Sequence, residues 1–94
     1  MANHSYQRVC EDVKREISAI IRELKDPRIP VMASVTKIVL TPDYKYCKIY
    51  VSFFEDEGKA KDAVKGLESA AGHMRRELAR RVELRFIQIG RAHV

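Results

Sequence analysis

The sequence lacks the long apolar run that a membrane-spanning helix requires. No part of its 94 residues approaches the roughly 18 consecutive apolar residues of such a span. The first ten residues, MANHSYQRVC, lack the apolar run of a signal peptide. The chain has two cysteines, Cys10 and Cys47, whereas small secreted scaffolds are much richer in cysteine. These absences predict a cytoplasmic protein in which both thiols are reduced and mostly buried.

Motifs for catalysis and metal binding are also missing. The chain contains no Walker-type phosphate loop, no G-x-G-x-x-G and no H-E-x-x-H. Its cysteines are too far apart in sequence to form a local zinc pair, and no serine lies in a nucleophile-elbow context. Catalytic groups can converge from distant positions, but these absences favour a protein that is not an enzyme and that binds neither metal nor cofactor.

Positive charge is the compositional feature that the chain does have. Lysine and arginine number 18 against 13 aspartate and glutamate residues, which gives a formal net charge of +5 and a pI of about 9.4. The length allows one domain with a modest core. A basic balance in a domain of this size suggests a polyanionic partner, usually nucleic acid. Because net charge alone is weak evidence for such a partner, the positions of the basic residues along the chain have to decide whether one is expected.

The first predicted element is a helix over residues 5–24. Apolar residues recur at positions 9, 13, 17, 20, 21 and 24, which is the spacing of one helical face. Almost opposite this face Arg8, Arg15 and Arg22 form a ridge with a spacing of seven residues. The ridge is either a solvated, charge-laced surface or a basic rail that contacts phosphates.

A turn and two strands follow the helix. In LKDPRIP, Pro27 ends the helix and Pro30 keeps the chain extended. Arg28 between them is either a structural arginine on a carboxylate or a ligand contact. The stretches at 34–40 and 47–54 are rich in β-branched and aromatic residues, and the short turn TPDYKY between them predicts an antiparallel hairpin.

A second helical region begins near residue 59 and has a glycine in its interior. Gly72 costs roughly 1 kcal/mol relative to alanine, and the apolar face changes there, from positions 60, 63, 64 and 67 to positions 74, 78 and 82. We therefore expect two helical segments joined by a bend. The second segment is either an amphipathic helix with a wet basic face or a device that presents its arginines to an acidic partner.

The last six residues, IGRAHV, match a translation of a common sequencing adapter, ATC GGA AGA GCA CAC GTC. A scar of this kind is excluded from reasoning about the fold. We therefore expect a natural domain over residues 1–88 and a non-native tail over residues 89–94.

The order helix, strand, strand and bent helix is the beginning of an α+β type II KH arrangement, which ends in a third strand. From residue 8 to residue 85 the sequence strongly resembles the ribosome-binding factor A family of bacterial small-subunit assembly factors. The matching motifs are LKDPRI at 24–29, VT at 35–36, PDYKYCKIYVSF at 42–53, GLESAAGHMRREL at 66–78 and RVELR at 81–85.

The resemblance implies a kink motif where ordinary KH domains have a glycine loop that clamps a nucleic-acid backbone. Here the motif reads Ala70, Ala71 and Gly72. Gly72 is expected to relax the backbone for the kink, while the two small alanines permit close approach. The family continues into a third strand, of which at most residues 86–88 remain here, so we expect that strand to be truncated.

The resemblance also implies a function. It is binding of the free 30S small ribosomal subunit and its precursor 16S rRNA, to assist late maturation and 16S rRNA processing. We expect a cytoplasmic monomer that needs no membrane. Lysines and arginines would neutralise rRNA phosphates, and no base-specific code is expected, because folded RNA is recognised mainly by shape and backbone.

The candidate RNA-binding residues have two origins. Arg28, Arg75, Arg81 and Arg85 match family positions, whereas Arg76, Arg80 and the ridge of Arg8, Arg15 and Arg22 rest on helical-wheel geometry, with Lys45 and Lys48 as supporting cations. The alternative function is a KH-like module that binds single-stranded RNA or a protein partner. Tyr44, Tyr46 and Tyr50, lying beside basic residues, favour the RNA version because bases stack on aromatic rings.

Overall fold

The computed structural model describes residues 2–30, 33–53, 56–80 and 82–92. Of residues 2, 3 and 4 it describes the backbone alone. The elements are α1 (Ala2–Glu23), β1 (Ser34–Leu40), β2 (Tyr46–Ser52), α2 (Glu57–Ser69), α3 (Ala71–Leu78) and β3 (Phe86–Arg91). The strands form one sheet in the order β1, β2, β3, in which β1 and β2 are antiparallel and β2 and β3 are parallel. The predicted order of α+β elements is therefore confirmed.

All three helices pack on one face of this sheet. Helix α1 lies against β1, and α2 and α3 lie against β3. The most deeply buried side chains come from both layers and include Ile17 of α1, Leu67 of α2, Met74 of α3 and Ile49 of the central strand. No helix of the described part of the chain covers the opposite face, which we call the open sheet face.

A bulge in β1 determines which of its side chains enter the core. Val35 pairs with Val51 of β2, but the next pair is Lys37 with Tyr50, so Thr36 is the extra residue. Strict alternation would place Lys37 on the same side as Val35. Because of the bulge, the buried positions of β1 are 35, 38 and 40 instead, and Lys37 points outward.

The hairpin turn is anchored to α1 by Tyr6. The Tyr6 hydroxyl donates to the carbonyl of Leu40 at 2.5 Å and accepts from the Leu40 N–H at 3.1 Å. Its ring stacks on Tyr44, with the centroids 6.1 Å apart. Tyr44 has a φ of 60°, which is unfavourable for a bulky residue, and the stacking together with a 2.8 Å hydrogen bond from its N–H to the Thr41 carbonyl holds it there. Tyr44 therefore serves the fold.

The two cysteines lie in the same region as Tyr6. Burial raises the pKa of Tyr6, and a hydrogen bond with Cys10 raises it further. Cys47 is buried, and that burial raises its pKa to about 12, so the thiol stays protonated. Both thiols are free, and Cys10 is half-buried. The prediction of free thiols in mostly buried positions is therefore confirmed.

The bend between α2 and α3 lies at Ala70. This residue ends α2 with a φ of −87° and a ψ of −2°, and its N–H donates to the carbonyls of Gly66 and Leu67. The predicted break into two helical segments is confirmed, and it lies at Ala70 instead of Gly72. Gly72 lies inside α3, and no glycine of the described residues has a positive φ. Ala70 has a negative φ, which does not require glycine, so the backbone angles at the bend need no glycine.

Strand β3 is longer than the sequence predicted. It runs over Phe86–Arg91 and pairs with β2 from Tyr46↔Phe86 to Val51↔Arg91. The expectation of a strand truncated near residue 88 is therefore wrong, because Ile89 continues the alternation begun by Ile87 and fills a core position. The non-native origin of residues 89–94 stays a prediction, since a foreign segment with a suitable pattern would pair in the same way.

Candidate nucleic-acid interface

The turn after α1 is held together by Arg28 and Asp26. The guanidinium of Arg28 donates to both carboxylate oxygens, with Nη2 2.6 Å from Oδ2 and Nε 3.0 Å from Oδ1. Oδ1 also accepts from the Arg28 N–H at 2.9 Å. These hydrogen bonds lower the pKa of Asp26 to about 2 and raise the pKa of Arg28. Of the two alternatives for Arg28, the contacts show the structural arginine on a carboxylate.

This turn packs against α2 at Gly66. A Cβ atom on Gly66 would lie 3.1 Å from Cγ1 of Ile29 and 3.3 Å from Oδ2 of Asp26, closer than the roughly 3.5–4.0 Å of ordinary carbon contacts. The missing side chain allows this close approach. This role of Gly66 was not predicted from the sequence. The signal was available, since Gly66 carries the same helical cost of roughly 1 kcal/mol as Gly72.

Hydrogen bonds to backbone carbonyls bring basic residues from three elements to one end of the sheet. The Arg85 N–H donates to the Lys45 carbonyl at 2.7 Å, which joins the start of β3 to the hairpin turn. Nη1 of Arg75 donates to the Arg85 carbonyl at 3.2 Å, which adds α3. We call Lys45, Arg75, Arg76 and Arg85 the basic cluster.

Gly72 gives the arginines of α3 room to fold back along the helix. A Cβ atom built on Gly72 would lie 3.6 Å from Nη1 of Arg76 and 3.7 Å from Nη2 of Arg75. Both guanidinium groups therefore lie against the same backbone position, two residues after the bend at Ala70. Gly72 therefore contributes to this surface by having no side chain.

The basic cluster keeps most of its charge available. Glu83 lies 3.4 Å from Nζ of Lys45 but is 87% exposed, and an exposed pair of this kind is worth about 0–1 kcal/mol. Arg75, Arg76 and Arg85 are exposed, and no ion pair joins them to a carboxylate within the described ranges. A planar guanidinium can donate two parallel hydrogen bonds to a phosphate, so the cluster suits a polyanion.

Arg80, which follows α3, does not join this cluster. Arg80 lines a shallow groove with Glu16, Glu23 and Glu77, so the charge there is of mixed sign. Arg81 lies outside the described residues. The Ala70, Ala71 and Gly72 motif, in contrast, lies directly at the bend beside Arg75 and Arg76.

The ridge of α1 and Lys48 lie on other surfaces. Arg8, Arg15 and Arg22 are exposed, and Arg15 pairs with Asp12 at 3.3 Å. Lys48 lies on the open sheet face with its Nζ 5.0 Å from the centroid of Tyr50. The eleven sequence-predicted cations are therefore not one site.

Neither a cluster of metal ligands nor a membrane-spanning helix is found among the described residues. Across ranges 2–30, 33–53, 56–80 and 82–92, no three His, Cys, Asp or Glu side chains gather as metal ligands would. In the same part of the chain, none of the helices has both the length and the apolar character needed to cross a membrane.

Comparison with protein families decides what kind of domain this is. The model of the family described as ribosome-binding factor A matches residues 5–88. The chain belongs to the ribosome-binding factor A family. Ribosome-binding factor A of Clostridium tetani is 48% identical over 87 residues, covering 92% of this chain and 72% of the relative. That of Acetivibrio thermocellus is 48% identical over 81 residues, covering 85% and 66%. The chain thus spans about two thirds of the length of the latter.

Solved structures of the family have the same fold. The crystal structure of ribosome-binding factor A from Thermus thermophilus is 26% identical, covers 92% of both chains and gives a TM-score of 0.73. A Thermus thermophilus homology model, fitted into a cryo-EM map of a complex of ribosome-binding factor A with 30S, is 30% identical over 87% of both chains, with a TM-score of 0.61. The predicted KH-like fold is confirmed, and the family is named for ribosome binding and is not a known enzyme class.

Proposed function

We propose that this protein binds the free 30S small ribosomal subunit in the cytoplasm and assists late maturation, including processing of precursor 16S rRNA. Family membership supports the proposal, as does the Thermus thermophilus relative that was fitted into a map of a 30S complex. The single structural observation that carries it is the basic cluster, in which hydrogen bonds join Lys45, Arg85 and Arg75. The guanidinium groups of Arg75 and Arg76 both lie against Gly72.

The mechanism is binding without a covalent step. The cations of the cluster neutralise phosphates of structured rRNA, and each phosphate contact steepens the fall of log affinity with log salt by about 0.7–0.9. Four contacts would give a slope of about −3. Ala70 and Ala71, being small, leave the bend open to an RNA backbone. Specificity comes from the shape of the folded RNA, because side chains read little sequence in an RNA duplex.

The remaining cations are secondary candidates in this proposal. One is Arg28, whose guanidinium has further N–H groups beyond those that donate to Asp26. The others are Lys48, Arg80, Arg81 and the ridge of Arg8, Arg15 and Arg22. The protein acts as a monomer and needs neither membrane nor cofactor.

Sedimentation tests the proposal. Purified protein is mixed with free 30S subunits or with whole 70S ribosomes and run on sucrose gradients at moderate salt. Comigration with free 30S subunits but not with 70S ribosomes is expected. Failure to comigrate with free subunits, or an affinity for short unstructured RNA equal to that for subunits, would contradict the proposal.

A further inference from the structure

The open sheet face carries rings and lysines in alternation. Its register places Lys37 beside Tyr50 and Tyr46 beside Phe86 in neighbouring strands. Val39 and Gln88, on either side of Lys48, also lie on this face. These side chains come from all three strands and point away from the helices.

The exposed apolar side chains of the described residues coincide on this face. The large hydrophobic side chains that are exposed are Val39 at 39%, Tyr46 at 48% and Phe86 at 55%. Single exposed hydrophobic residues are ordinary, but a contiguous apolar patch usually marks an interaction site. Two of the three are aromatic and are directly paired across β2 and β3.

Positive charge lies among these rings. Nζ of Lys48 is 5.0 Å and Nζ of Lys37 is 5.9 Å from the centroid of Tyr50, which is within cation–π range. No aspartate or glutamate occupies an outward strand position of the described residues on this face. The strands of this face therefore carry aromatic rings and lysines but no carboxylate, while Glu57 and Glu68 of α2 line a pocket with Lys48 and Tyr50 beside β3.

We propose that the open sheet face binds an unpaired RNA segment, with bases stacked on Tyr46, Phe86 and Tyr50 and phosphates beside Lys37 and Lys48. The inference deepens the proposed function and rests on it for the identity of the RNA as rRNA. Aromatic platforms edged by cations are the usual means of holding single strands without sequence preference. Protein interfaces, in contrast, are depleted in lysine at their cores.

The open sheet face is continuous with the basic cluster. Tyr46 and Phe86 directly follow Lys45 and Arg85 in the chain, so the aromatic pair starts where the cluster ends. Tyr50 lies four residues further along β2, about 13 Å from Tyr46 at the usual rise of a strand. An RNA strand that runs from the basic cluster onto the open sheet face can therefore stack one base on the aromatic pair and another on Tyr50.

Fluorescence anisotropy with fluorescein-labelled decauridylate and decaadenylate tests this proposal on the full chain. Measurable binding, weaker than to free 30S subunits, is expected. The double variant Tyr46→Ala/Phe86→Ala should weaken it about 5- to 150-fold, the loss of the one base stacked on the pair, and each single variant should weaken it by part of that. Phe86→Tyr retains the ring and should bind like the unmodified chain. Gln7→Ala changes an exposed side chain of α1, outside this face, and should also bind like the unmodified chain.

Three outcomes would overturn the inference. One is no binding of either oligonucleotide, and another is unchanged binding by both Tyr46→Ala and Phe86→Ala with folding verified by circular dichroism. The third is self-association in sedimentation velocity that Phe86→Ala abolishes, which would assign the face to a second copy of the chain. If the unmodified chain still comigrates with free 30S subunits in these cases, the proposed function stands. Oligonucleotide binding without comigration would leave the face as an RNA site and remove the proposed function.

Discussion

Replacing Gly66 by alanine should destabilise this protein, whereas the same replacement at Gly72 should stabilise it. Both positions are helical, so alanine gains about 1 kcal/mol of helix propensity at each. At Gly72 the new Cβ would meet only the flexible ends of Arg76 and Arg75, at 3.6 and 3.7 Å. These are ordinary contacts, so we expect a net gain of about 0.5–1 kcal/mol in the free energy of unfolding.

At Gly66 the packing of the turn outweighs the gain in propensity. The new Cβ would lie 3.1 Å from Ile29 and 3.3 Å from Asp26, and Asp26 cannot move alone because Arg28 holds both of its oxygens. Overpacking of this kind costs about 1–3 kcal/mol. With the propensity gain subtracted, we expect a net loss of about 1 kcal/mol.

Urea and thermal denaturation followed by circular dichroism measure both effects. The two variants should differ by about 2 kcal/mol, which corresponds to roughly 8–16 °C in Tm for a domain of this size. A Gly66→Ala protein as stable as Gly72→Ala would refute the close packing of the turn on α2. A destabilised Gly72→Ala protein would show that the bend needs a glycine after all.

Two further predictions concern side chains that hold the fold. Tyr6→Phe removes both hydrogen bonds to Leu40 and should lower the free energy of unfolding by about 1–2 kcal/mol. Tyr46→Phe, an exposed control, should change the free energy of unfolding by less than about 0.5 kcal/mol. Equal losses in urea denaturation would contradict the anchoring role of Tyr6. For Asp26, a folded pKa of about 2 against an ordinary value of 3.8 means that folding favours the carboxylate, so its contribution is present above about pH 4 and is lost as the pH falls towards 2. The unmodified chain should therefore be more stable than Asp26→Asn at neutral pH, with the difference closing in acid; a difference that persists at pH 2 would be evidence against this pair.

Local patterns were sufficient for the elements whose boundaries depend on their own residues. The predicted helix over residues 5–24 is found as Ala2–Glu23, and the first strand has the predicted bounds. The second strand, predicted over residues 47–54, is found as Tyr46–Ser52. Amphipathic spacing and proline signals act within a few residues of the chain, so they can be recognised without knowledge of the tertiary fold.

Features that depend on distant partners were not predicted. The bulge at Thr36 arises from the register of β1 on β2, and the full length of β3 arises from its pairing with the whole of β2. The close packing of residues 26–29 on Gly66 depends on where the turn meets α2 in the folded chain. No periodicity along one element carries such information.

The candidate site shows the same difference between local patterns and features that depend on distant partners. The basic residues were identified from the sequence, but Lys45, Arg75 and Arg85 are joined by hydrogen bonds between three elements. Helical-wheel geometry placed Arg76 and Arg80 together, yet Arg80 lies among carboxylates of α1 and of its own segment. A helical wheel ignores the neighbouring helix, so it overestimates the charge of that face.

The affinity for free 30S subunits as a function of KCl concentration tests the central claim most directly. The comparison is between the unmodified chain, Arg75→Gln/Arg76→Gln in the basic cluster, and the control Lys14→Gln/Lys25→Gln, which removes two exposed cations outside it. We expect the cluster variant to lose affinity and its log–log slope to become shallower by about 1.5, two phosphate contacts, while the control keeps both. Equal losses in the two variants, or an unchanged affinity of the cluster variant, would contradict the account.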